Sequence, residues 1–155
     1  MEEKVEMTQK SNRDVTTDRL DKTLQNIKCD ESAEKFIGEY TVGQYKSFAD
    51  YFNSFVSQRE LEIPDIITRS NISKNYIYNI INGRKNPSRD KIIALCIGAG
   101  MNVREINRAL KIAELGVLYA KNERDARITI AVNKGIRNIV DINIILEKHG
   151  LEIIE

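Results

Sequence analysis

Apolar residues in this chain recur at helical spacing and almost nowhere alternate. Tyr45, Phe48, Ala49, Phe52, Phe55 and Val56 share one face of a helix predicted over residues 41–58. Thr41 and Gln44 stand at capping-box spacing at its start. Ile63, Ile66 and Ile67 mark a second, short helix ending near Arg69, with Pro64 in its first turn, where a missing N–H costs little. Ile77, Ile80 and Ile81 then repeat at i, i+3, i+4 behind Ser73, a good N-cap. Ser88 opens a fourth helix carrying Ile92, Ile93, Leu95, Cys96 and Ala99, which Gly100 ends. Near the N-terminus, Asp18 is placed to cap a short helix with Leu20, Leu24 and Ile27 on one side. No alternating run bounded by turns is present, so the predicted fold class is all-α.

The pattern then repeats. Arg89-Asp90 precedes Gly100 by the interval at which Arg124-Asp125 precedes Gly135. After each glycine comes an asparagine and an apolar helix, Asn102 to Leu110 in the first copy and Asn138 to Leu146 in the second. Asn102 with Glu105 has N-cap and N3 spacing, and Asn138 with Asp141 has a similar acidic first turn. Two successive helical hairpins are predicted, the second a structural echo of the first. Two copies are too few for a solenoid, so a helical pair packed on the core, or a dimer surface, is the expected result. Arg124-Asp125 is read as a brace for these helices, with Asn122 as cap.

The most specific stretch runs from Ser70 to Ser88. A tight turn at Asn71, which tolerates the left-handed conformation, leads into the Ser73 helix. Its isoleucines face a core, and Lys74, Asn75, Tyr78, Asn79 and Asn82 face out. Gly83 stops the helix, and Arg84-Lys85-Asn86-Pro87-Ser88 follows as a basic loop. The series Ser73, Ile77, Ile80, Asn82, Gly83, Arg84, Lys85, Pro87, Ser88 resembles the recognition helix of Xre, or phage-repressor-like (lambda repressor/Cro type), helix-turn-helix regulators. The resemblance covers roughly residues 48–100. Leu118-Tyr119-Ala120-Lys121-Asn122-Glu123-Arg124-Asp125-Ala126 is similar to the tail of a bacterial subfamily of such regulators.

That resemblance implies a five-helix repressor-like helix-turn-helix core with an appended C-terminal helical hairpin and a flexible N-terminal arm. The implied division is an arm with a short amphipathic helix over residues 1–40, a DNA-binding core over 41–115 and the hairpin over 116–155. It places Lys74, Asn75, Tyr78 and Asn79 against base edges in the major groove. Lysine can donate to guanine O6 and N7, and an asparagine amide can pair with adenine N6 and N7. Ser73, Asn82, Arg84, Lys85, Ser88 and Arg89 are implied phosphate contacts. The ring of Tyr76 is expected to pack inward rather than meet a base. Three positions depart from the family pattern. Ile63 stands where a glutamine often holds a phosphate, Ile67 where a small residue lets the helices approach, and Asn71 where glycine is common.

Charge sharpens this picture. The 155-residue chain is nearly neutral, with 24 Lys and Arg against 23 Asp and Glu. Over residues 66–100, however, Arg69, Lys74, Arg84, Lys85, Arg89 and Lys91 stand against Asp90 alone, a local footprint suited to a polyanion. Cys29 and Cys96 have no disulfide or metal spacing, and Cys96 sits among aliphatic residues as a small core side chain. With no signal peptide and no run long enough to span a bilayer, a cytoplasmic protein is expected. No enzyme is expected. His149, the single histidine, suits a helix C-terminus. Ser32-Ala33-Glu34-Lys35 and Ser88-Arg89-Asp90-Lys91 match Ser-x-x-Lys without its companion elements. No phosphate loop, dinucleotide fingerprint or metal-ligand cluster is present, so no cofactor and no metal are expected.

The function expected is a sequence-specific transcriptional regulator binding double-stranded DNA as a homodimer, since one helix-turn-helix buries little DNA surface. The alternative is a protein-interaction adaptor or antitoxin-like partner on a repurposed helix-turn-helix fold, binding through the N-terminal arm or the C-terminal hairpin. No membrane partner is expected.

Overall fold

The computed structural model describes residues 16–40 and 45–155. The described residues form nine helices and no strand, so the all-α expectation holds for them. Residues 1–15 of the N-terminal arm predicted over residues 1–40, and the Thr41–Gln44 capping box, lie outside the described residues. Two compact units divide the chain, Met1–Gln44 and Tyr45–Glu155.

The first unit contains α1 (Thr17–Asn26) and α2 (Asp30–Tyr40). Thr16, not Asp18, caps α1, its hydroxyl accepting the Arg19 N–H at 3.3 Å. Asp18 falls in the first turn, where its charge meets the positive end of the helix dipole. Leu20 and Ile27 are half-buried and Leu24 is exposed, so this helix buries no residue fully. The helix α2 had no counterpart in the sequence prediction, because its few apolar residues give too short a periodic signal.

The second unit runs through α3 (Phe48–Gln58), α4 (Ile63–Ser70), α5 (Lys74–Ile81), α6 (Arg89–Gly98), α7 (Val103–Ile112), α8 (Glu123–Asn133) and α9 (Ile139–Lys148). Ser47 caps α3 by accepting the Asp50 N–H, which starts the helix later than the sequence pattern suggested. One hydrophobic core extends from Phe48 to Ile154. Its centre is α6, in which every residue from Ile92 to Gly98 is buried. Helices α4, α7 and α9 pack around α6, and α3 packs on α5 and α7. Leu118, Ile128, Ile139, Ile142, Leu146 and Ile154 all enter this same core.

Helices α4 and α6 approach closely. A Cβ added at Gly98 would lie 3.1 Å from both the Cβ and the backbone N of Ser70, and 3.2 Å from the Ile66 carbonyl oxygen. Ser70 and Gly98 therefore provide the small residues for close approach. Ile67, which occupies the small-residue position of the resembled family, is half-buried at the edge of the core.

The repeat seen in the sequence is built as a reciprocal exchange. Arg89, at the start of α6, forms a two-pronged pair with Asp125 of α8, at 3.2 and 2.8 Å. Arg124, at the start of α8, forms the same pair with Asp90 of α6, at 3.2 and 2.9 Å. Each guanidinium also donates to two carbonyls at the end of its own repeat. Arg89 binds those of Gly116 and Val117, and Arg124 those of Glu152 and Ile153. Asp125 further accepts the Tyr119 N–H, and Asp90 accepts that of Glu155. Asn107 accepts the Leu118 N–H at 2.9 Å, and Asn143 that of Ile154 at 2.7 Å. Each of these bonds in one copy has its counterpart in the other, the relation a two-fold axis would impose. The expected bracing role of Arg124-Asp125 is thus met, with Asn122 capping α8.

Candidate nucleic-acid interface

The turn between α4 and α5 is set by three residues. Asn71 takes the left-handed conformation at φ 56°, Ile72 is buried, and the Ser73 hydroxyl accepts the Tyr76 N–H at 3.3 Å. Ile77 and Ile80 anchor α5 with no exposed surface. The opposite face carries Lys74, Asn75 and Tyr78, all exposed, with Asn79 half-buried beside them. The helix ends at Asn82, and Gly83 follows at φ 73°. The amide of Asn53 in α3 holds this end by donating to the Ile81 carbonyl at 3.0 Å.

The basic loop is anchored rather than loose. The carbonyl of Asn79 accepts the N–H groups of both Arg84 and Lys85, at 2.8 and 3.1 Å. Tyr76 is half-buried against the core, and its ring receives two ammonium groups. Lys85 Nζ lies 4.7 Å and Lys91 Nζ 5.2 Å from the ring centroid. Such contacts are worth about 0.5–1 kcal/mol each at an exposed site and fix where the charges stand. Ser88 caps α6 by accepting the Lys91 N–H.

The six cations of the basic stretch do not share one role. Arg69 donates to the Gly98 carbonyl at 2.7 Å and ties α4 to the end of α6. Arg89 uses four N–H···O contacts on Asp125, Gly116 and Val117, so its charge is neutralised within the fold. Lys74, Arg84, Lys85 and Lys91 have no carboxylate partner among the described residues. Sequence reasoning placed Arg89 with the loop cations because Asp125 is distant in the chain. It counted Lys91 in the basic stretch without placing it among the phosphate contacts, and Tyr76 gathers it to the loop.

Other ionisable groups serve the scaffold. Glu105 is buried, completes a capping box with Asn102, and meets the Arg59 guanidinium at 3.1 Å. The Tyr51 hydroxyl donates to the Glu105 carbonyl at 3.2 Å, and burial pushes its pKa up. Burial likewise pushes the Cys96 thiol up. The exposed Cys29 accepts help from its neighbour, since a hydrogen bond with Ser32 lowers its pKa. No group of three or more His, Cys, Asp or Glu able to hold a metal occurs among the described residues, and none of their helices is long and apolar enough to cross a membrane. No family model, curated protein or solved structure matches this chain.

Proposed function

We propose that this protein is a sequence-specific DNA-binding regulator that enters the major groove with α5. The observation that carries the reading is the polar face of Lys74, Asn75 and Tyr78 on a helix whose other face is locked by Ile77 and Ile80. A rigid short helix presenting ammonium, amide and phenol groups has the chemistry of base-edge recognition. Asn79 extends this face by one turn. Arg84, Lys85 and Lys91 supply phosphate contacts, and Ser73, Asn82 and Ser88 border the same surface. Capping leaves each serine hydroxyl its O–H to donate. Arg89 acts instead as scaffold, because Asp125 and two carbonyls engage it.

Selection of duplexes from a random pool, followed by titration of the winner at several salt concentrations, tests the proposal. Lys74→Ala with Asn75→Ala is expected to abolish sequence preference, with each lost base contact costing about 1–3 kcal/mol. Lys85→Ala is expected to weaken all duplexes alike and to lower the salt slope by about one. Failure to enrich any motif, or enrichment untouched by the double variant, overturns the reading. Partner binding that survives the double variant would instead fit the adaptor role.

A further inference from the structure

The internal repeat allows one hairpin to serve as a guide to the other. In the first repeat, α3 packs on α7, the second helix of the hairpin. Tyr51 binds the Glu105 backbone, Arg59 pairs with the Glu105 carboxylate, and the Arg108 guanidinium stands 5.3 and 5.7 Å from the rings of Tyr45 and Tyr51. In the second repeat, Asp141 corresponds to Glu105, Ile144 to Arg108, Val140 to Arg104 and Ile130 to Leu95. Nothing in this unit takes the place of α3 there. Leu95 and Glu105 are buried, whereas Asp141 is exposed and Ile130, Val140 and Ile144 are 53%, 47% and 60% exposed. The two arginine positions have become aliphatic where the cover is missing. A helix apolar nearly all round normally has neighbours on every side, and α9 lacks one on this face.

We propose that this face of α9 is a dimer surface, and that its occupant is α9 of a second copy of this chain, packed antiparallel across a two-fold axis. Val140 and Ile144 are one helical turn apart and uncharged, so the stripe meets itself without repulsion. Asp141 lies in the first turn of α9 and Lys148 in the last. Antiparallel packing brings Asp141 of each copy toward Lys148 of the other and sets the helix dipoles head to tail. In the first repeat the second helix of the hairpin already accepts a helix against it, α3 on α7. The surface lies on a different helix from the polar face of α5. Dimerisation itself does not depend on the DNA-binding reading, although a pair of half-sites would gain from it.

The test is sedimentation equilibrium of the full chain without DNA, over a wide range of concentration. A reversible monomer–dimer equilibrium is expected. Ile144→Glu should raise the dimer dissociation constant by about thirtyfold, as loss of a central interface contact does. The site is exposed, so an unchanged melting temperature of the dilute monomer would exclude a folding defect. Asp141→Lys should weaken the dimer through a Lys148 clash, and adding Lys148→Asp should restore it. A wild-type chain that stays monomeric throughout, a dimer indifferent to Ile144→Glu, or a charge swap without restoration overturns the proposal. A half-site duplex should bind Ile144→Glu as it binds the wild type, so loss of DNA binding and loss of dimerisation are read separately.

Discussion

Seven consecutive residues of α6, from Ile92 to Gly98, are buried. In α8, built on the same pattern, only Asp125, Ile128 and Ala131 are. The two hairpins share their left-handed glycine stops, the asparagine caps of their second helices and their Arg-Asp pairs, and they differ in what covers them. The first is covered by α4 on α6 and by α3 on α7, whereas of these two only α4 reaches the second, on α9. Side chains follow the cover. Where α4 crosses, the repeat has Gly98, and the equivalent position in α8 is the exposed Asn133. Where α3 crosses, it has Glu105 held by Arg59, and the equivalent is a free-standing Asp141. Similar local code thus tolerates very different surroundings, because caps and breaks act within a turn and burial is set by neighbours.

Breaking the exchange between the hairpins should have the largest effect. Asp125→Ala removes both prongs from Arg89 and the partner of the Tyr119 N–H, with the carboxylate only 9% exposed. Loss of one member of so enclosed a pair costs about 3 kcal/mol, read by chemical denaturation. The mirror change, Asp90→Ala, should cost clearly less, because that carboxylate is 28% exposed. Equal losses would show that the two halves of the exchange are energetically alike despite their different cover.

Gly98→Val comes next. Its branches would press on the Ser70 backbone at a distance no side-chain rotation relieves, and overpacking of this kind costs about 1–3 kcal/mol. Asn133→Val, at the corresponding site of α8, should change stability by less than about 0.5 kcal/mol, as surface substitutions do. The ratio of the two measures how much of the difference between the hairpins is due to α4.

The smallest effect concerns Cys96, whose counterpart in α8 is Ala131. Burial raises the Cys96 pKa, so the folded chain keeps a proton that the unfolded chain releases above its ordinary value of 9.0. This contribution is fully present below that pH and is lost as pH rises through it, at about 1.4 kcal/mol per pH unit. Tyr51 behaves in the same sense above its ordinary value of 10.0. Cys96→Ala should therefore flatten the fall in stability between these two values. An unchanged slope would mean the thiol does not stay protonated in the fold.

Much of this architecture was legible residue by residue. Ser73, Ser88, Asn102 and Asn122 cap where their spacing indicated, Asn71 is left-handed, and Gly83, Gly100, Gly135 and Gly150 stop helices at positive φ. The isoleucine spacing of α5 fixed which side chains face out. These features depend on hydrogen bonds and torsions spanning four residues or fewer, so the order of residues alone decides them. Tertiary structure decided the rest. The choice of Arg89 for Asp125 rather than solvent, the convergence of Lys85 and Lys91 on Tyr76, the close approach at Gly98 and the open face of α9 all join segments far apart in the chain. Sequence periodicity reports that a helix has an apolar side, and only the packed fold reports which neighbour fills it.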